Sequence, residues 1–243
     1  MKKQLGVYSM FDSFNIQINN LSHSYEEKVA LDNINWTLSS GKIYVLLGPN
    51  GAGKTTFLNL LAGSIKPTLG TITLFNSFGK EDKEFLNKNI GYLTEYPYFY
   101  PFLTTIEMIR LVGQLRGLEQ GFLENQIEKW LDTFNLMEYR NQPMDSLSQG
   151  TKKRVAFIIS VIHQPKIILL DEPTNGLDPK QIVLFRNVLR ELANTGCLIL
   201  LSTHIMGLGE KLADEVGIIY NNSLEYIGDN MGNLENLYLS ITT

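Results

Sequence analysis

Ile43-Tyr44-Val45-Leu46-Leu47-Gly48-Pro49-Asn50-Gly51-Ala52-Gly53-Lys54-Thr55-Thr56-Phe57-Leu58 is the stretch that decides the fold. Its first five residues form a short unbroken apolar run, the pattern of a strand buried on both faces of a parallel sheet. Gly48–Thr55 then fits G-x-x-x-x-G-K-[ST] at every fixed position. Lys54–Ala62 has a helical period, and Gly63 follows as its C-cap. Strand, glycine loop and helix in this order make a phosphate cradle. The glycines let successive backbone N–H groups turn inward, and the helix N-terminus adds partial positive charge. Lys54 is expected to reach the β- and γ-phosphates of a bound nucleotide, and the Thr55 hydroxyl to ligate Mg²⁺.

Such a cradle needs a carboxylate at the end of a second buried strand to hold the metal. Ile167-Ile168-Leu169-Leu170-Asp171-Glu172 supplies one. Asp171 ends the apolar run and fits the Mg²⁺ position, while Glu172 can polarise a water in line with the γ-phosphate. Further outward, Pro179–Ala193 reads as a helix with proline in its first turn, and Cys197–Ser202 and Glu215–Tyr220 read as strands. Phe14–Leu21 alternates like an exposed antiparallel strand. The segment from about Glu95 to His163 differs, with helical periods at Ile106–Leu115, Phe122–Phe134 and Lys152–Ile162. Thr104 stands three residues before Glu107, a capping box that starts the first of these helices.

The 243 residues are 44% hydrophobic and 19% charged, which excludes disorder, and a single cysteine excludes an internal disulfide. Cys197 reads as a small hydrophobe within its strand. Lysine and arginine number 21 against 25 acidic residues, a net charge of −4, so no basic face for nucleic acid is expected. Met1–Gly6 has two lysines but no following apolar run and does not read as a signal peptide. The longest apolar runs fall far short of the roughly 20 residues that span a bilayer, so no direct membrane insertion is expected.

With these residues in place, the chain from about Phe14 to Ile227 resembles the nucleotide-binding subunit of ATP-binding cassette (ABC) transporters. Leu147-Ser148-Gln149-Gly150-Thr151 is similar to the family's LSGGQ signature and stands just upstream of the Asp171 strand. The resemblance implies an α/β fold: a P-loop NTPase core with a parallel sheet, an N-terminal antiparallel β subdomain and an inserted α-helical subdomain. It is expected as one domain over 1–243, with the core at about 1–94 and 164–243 and the helical part at about 95–163. It further implies that Tyr25 stacks on adenine and that Gly48 through Thr55, with Thr56, contact the ATP phosphates. Glu172 is implied as general base, Lys54 as electrostatic stabiliser and His204 as γ-phosphate sensor. Ser148, Gln149, Gly150 and Asp178 are implied to reach ATP held by a second cassette, identical or not, paired head to tail.

Three positions depart from the family pattern. Glu95 stands where glutamine is usual, approaching Mg²⁺ or its water but adding negative charge, and this resembles export-type cassettes. Gln149 replaces the first signature glycine and Thr151 the final glutamine. Lys152, Lys153 and Arg154 follow the signature, either as a local positive field or as a solvated helix face. Tyr96-Pro97-Tyr98-Phe99-Tyr100-Pro101-Phe102 is either core cover or an exposed interface. By resemblance this is where a transmembrane permease subunit inserts its coupling helix, which would hold the chain at the cytoplasmic face of the membrane. The short stretch Gly228–Thr243 is expected to leave no room for the accessory regulatory domain that some importer cassettes carry. The expected function is ATP-driven transport, tilted toward export. The rivals are a soluble single-cassette ATPase, such as one in iron–sulfur assembly, and a non-transport regulatory cassette.

Overall fold

Ile43–Leu47 (β3) is buried at all five positions, and its alternate side chains enter two different apolar clusters. Ile43, Val45 and Leu47 join one cluster, and Tyr44 and Leu46 the other. Ile167–Asp171 (β7) and Leu198–Thr203 (β8) divide their residues in the same way. Burial on both faces is the reason that these strands read as continuous apolar runs. The computed structural model describes residues 13–76, 79–80, 88–230 and 232–242. The expected absence of a signal peptide at Met1–Gly6 falls outside the described residues, as do two positions of the tail, 231 and 243.

β3 lies in a six-stranded sheet with Ile90–Leu93 (β6), Glu215–Tyr220 (β9) and Ser223–Asp229 (β10), in the order β10-β9-β3-β8-β7-β6. All neighbouring pairs are parallel except β10 with β9. A second, antiparallel sheet is built from Asn15–Tyr25 (β1), Lys28–Ser39 (β2), Leu69–Asn76 (β4) and Gly79–Lys80 (β5), in the order β2-β1-β4-β5. Lys54–Leu61 (α1) shares its apolar cluster with this sheet, on one side of the parallel sheet. The other side is covered by Thr105–Leu115 (α2), Gln120–Thr133 (α3), Gln149–Val161 (α4), Pro179–Asn194 (α5), Met206–Leu212 (α6) and Leu234–Thr242 (α7). The result is the α/β P-loop fold expected from the sequence, with its antiparallel sheet and its helical stretch between β6 and β7. Among the described residues no helix is long and apolar enough to cross a membrane.

Two boundaries differ from the sequence reading by three residues or more, each for a local reason. β1 continues to Tyr25 rather than ending at Leu21, because its pairing with β2 is irregular between Ile18 and Ser24 and Asn20 has φ 48°. Those bulges break the period-two pattern that the sequence displays only up to Leu21. α4 begins at Gln149, three residues before the first position expected, because the Ser148 hydroxyl accepts the Thr151 N–H at 3.2 Å and caps the helix there. The Thr104–Glu107 capping box forms as expected.

Candidate active site

β3 delivers the chain into the glycine loop at Gly48, and α1 starts where that loop closes at Gly53. There φ is 104°, and a Cβ would lie 2.5 Å from the Ala30 carbonyl oxygen and 2.7 Å from Leu31 Cδ2. Only glycine can make that turn against β2. No side chain caps α1, which leaves its first amide donors for an anion. Lys54 is buried, and its Nζ donates to the carbonyl oxygens of Gly48 at 2.8 Å and Pro49 at 3.1 Å. Burial lowers its pKa, and the carboxylates of Glu172, Asp171 and Glu95 pull it back up.

The carboxyl ends of β3, β8 and β7 lie side by side, the usual location of a ligand crevice in such a sheet. A cleft of 570 Å³ opens there. Asn50, Gly51, Gly53, Lys54, Thr55 and Thr56 line it from the loop and α1, and Tyr25 lines it from β1. Asp171, Glu172, His204 and Glu95 complete the wall. Pro49 contributes its carbonyl to Lys54, whereas Ala52 packs into the apolar cluster beneath. Tyr25 is about half exposed, its ring edge-to-face with His23 at 4.7 Å.

The polar floor of the cleft is tightly connected. Thr55 Oγ1 donates to Asp171 Oδ2 at 2.7 Å, and Ser202 Oγ donates to Asp171 Oδ1 at 2.5 Å. The Glu172 N–H donates to both the carbonyl and the hydroxyl oxygen of Ser202, at 3.2 Å each. Glu172 has φ 45°, a left-handed conformation that costs a non-glycine residue energy and that these two bonds hold in place. Its Oε1 meets His204 Nδ1 at 2.9 Å and stands 4.0 Å from Lys54 Nζ. Its Oε2 is buried with no hydrogen-bond partner. An acceptor left unsatisfied beside a lysine and a phosphate-type loop fits a site built to receive a polar ligand and a water. Among the described residues no three His, Cys, Asp or Glu side chains gather into a self-sufficient metal cage. The Thr55–Asp171 pair suits Mg²⁺, which takes few protein ligands and is completed by phosphate oxygens.

Ser202 was legible only as the end of a strand. Its role depends on the β7–β8 register, which places it opposite Asp171.

Ser148, Gln149, Gly150 and Asp178 do not line this cleft. Ser148 and Gln149 are exposed, Gly150 is buried against the Gly176 carbonyl, and Asp178 caps α5 by accepting the Gln181 N–H at 2.9 Å. Four of the five loop aromatics are exposed: Tyr96 by 85%, Tyr98 by 81%, Tyr100 by 54% and Phe102 by 86%. Phe99 instead packs on the core. Beside them lies a second cavity of 590 Å³, lined by Glu95, Tyr96, Pro97, Tyr98, Phe99 and Gln149 among others. The basic run after the signature is not a solvated face. Lys153 and Arg154 are buried, and Arg154 donates to the Phe134 carbonyl at 2.8 Å and to Thr151 Oγ1 at 3.1 Å. Only Lys152 is partly exposed, with Nζ 3.2 Å from the Asp145 carbonyl.

Residues 31–175 match the family model described as ABC transporter. A lantibiotic transport ATP-binding protein of Streptococcus pyogenes is 36% identical over 225 residues, 92% of this chain and 95% of that protein. A bacitracin transport ATP-binding protein of Enterococcus faecalis is 35% identical over 88% of this chain and 69% of its own length. A solved ATP-binding subunit of an ABC transporter superposes with a TM-score of 0.85 at 27% identity, covering 94% of this chain and 99% of that one.

Proposed function

The chain belongs to the ABC transporter family as an ATP-binding, ATP-hydrolysing subunit, and we propose that it powers export through a separate transmembrane permease. The observation that carries the reading is the convergence of Lys54, Thr55, Asp171, Glu172 and His204 on one cleft, from segments up to 150 residues apart. The names of its relatives favour transport over a soluble single-cassette role, and they point to a cargo of the lantibiotic or bacitracin kind.

In this reading Tyr25 stacks on the base at the open end of the cleft. The backbone N–H groups of Gly48–Thr56, Pro49 excepted, hold the phosphates, with Lys54 turning from its two carbonyls toward the β- and γ-oxygens. Thr55 and Asp171, with Glu95 at the edge, would hold Mg²⁺, whose charge would offset the charge that develops on the phosphates. Glu172 orients and deprotonates the attacking water through its unsatisfied Oε2, while His204 fixes Oε1 and senses the γ-phosphate. Ser148, Gln149, Gly150 and Asp178 do not line their own cleft, and this favours closure of a second cassette's ATP by this surface. The exposed aromatics next to Glu95 are the docking surface for the permease at the cytoplasmic face of the membrane.

Replacing Glu172 with Gln tests the mechanism. Hydrolysis should fall by roughly 10²–10⁴, while ATP stays bound and a dimer accumulates in size-exclusion chromatography with light scattering. A persistent monomer carrying ATP would overturn the paired-cassette mechanism.

A further inference from the structure

Two buried lysines lie in the field of the same three carboxylates. Lys54 feels Glu172, Asp171 and Glu95, and Lys153 feels Asp171, Glu95 and Glu172. Lys54 has a place in phosphate binding, and Lys153, on α4, has none so far. Its side chain is 6% exposed, and its Nζ donates to the Glu95 carbonyl at 2.9 Å and to the Thr94 carbonyl at 3.5 Å. Two turns further along, α4 presses closely on β6. A Cβ at Gly91 would stand 2.0 Å from the Ser160 carbonyl oxygen. Burial disfavours its charged form, and only the nearby carboxylates oppose that. A neutral amide could also donate to these carbonyls without burying a charge, and the ammonium adds to the two bonds a positive charge beside the loop that carries Glu95. Glu95 is the carboxylate that this site has beyond the Asp171–Glu172 pair. Its side chain also meets the Tyr96 hydroxyl, whose proton it holds more tightly than usual.

We propose that Lys153 is a positioning residue of the ATP site. Its ammonium ties the Thr94–Glu95 loop to α4 by two carbonyl oxygens and offsets the negative charge that Glu95 brings beside Asp171 and Glu172. The proposal rests on the ATPase reading above. It gives Lys153 two separable duties, one mechanical and one electrostatic, and places it between the nucleotide cleft and the aromatic cavity, which it also lines.

The test uses the full chain, with Mg·ATP binding measured by titration calorimetry and amide exchange followed over 94–100. Lys153→Gln should weaken Mg·ATP binding about tenfold, the size of one screened charge interaction, and Lys153→Arg should stay within about threefold of wild type. In a Glu95→Gln background the Lys153→Gln change should cost less than about twofold, since the charge it balanced is gone. Lys153→Met should raise exchange over 94–100 in both backgrounds, whether or not nucleotide is present. Melting temperatures of each variant register any general loss of folding. An equal loss of affinity in both backgrounds, or none in either, overturns the charge-balancing role. Unchanged exchange in Lys153→Met overturns the tie. Failure of the wild-type chain to bind Mg·ATP overturns the ATPase reading itself and the proposal with it.

Discussion

At the scale of the residue, the site depends on one small hydroxyl. Ser202 is fully buried, donates to Asp171 and accepts from the Glu172 N–H, so one oxygen sets both the carboxylate proposed to hold the metal and the proposed base. Replacing it with Ala leaves Asp171 Oδ1 without that donor and loosens the strained backbone at Glu172. The variant should lose about tenfold in kcat with KM changed less than about threefold, because the phosphate cradle on α1 is untouched. Steady-state kinetics check that split, and an equal rise in KM would place the damage in binding instead. Lys54 and Thr55 were identifiable from their motif alone. Ser202 was not, because a serine at the end of an apolar run has many ordinary uses.

At the scale of the element, α4 does three jobs. Its N-terminus presents Ser148, its middle buries Lys153 and Arg154, and its end is moored to β6 through His163. The His163 Nε2–H donates to the Ile90 carbonyl at 3.1 Å, and Nδ1 is buried without a partner. Burial, with Arg116 nearby adding to it, lowers the His163 pKa from 6.5 to about 4. The unfolded chain therefore takes up this proton at a higher pH than the folded one. The stabilisation is complete above pH 6.5 and is lost as the pH falls through the range down to about 4. The loss amounts to at most about 3 kcal/mol. His163→Gln should flatten the fall in stability between pH 6.5 and 4, as measured by urea unfolding at several pH values; an unchanged slope would assign that fall to other groups.

At the scale of the whole molecule, nucleotide cleft and aromatic cavity share Glu95 and Tyr96 in their walls. A shift of the Glu95 loop would change the walls of both. Replacing Tyr98 and Tyr100 with Ala removes exposed rings that lie outside the nucleotide cleft without opening the core, whereas Phe99, packed on that core, would confuse folding with docking. The double variant should keep its Mg·ATP affinity within about twofold and lose association with the proposed permease, with truncated aromatic anchors costing about 2 kcal/mol or more. Co-purification and transport assays check it, and unchanged association would remove this surface from the interface. The sequence by itself determined the nucleotide chemistry and the α/β class, because a glycine loop, its lysine and the periods around it are local features written in consecutive residues. The aromatic loop could be read either way, since a run of rings looks the same whether it covers a core or faces solvent. Only the tertiary structure decided that β8 lies between β3 and β7, bringing Ser202 and His204 to Asp171 and Glu172, and that Lys153 is buried against the Glu95 loop. Strand order, register and burial are set by packing between distant segments, and no local pattern encodes them.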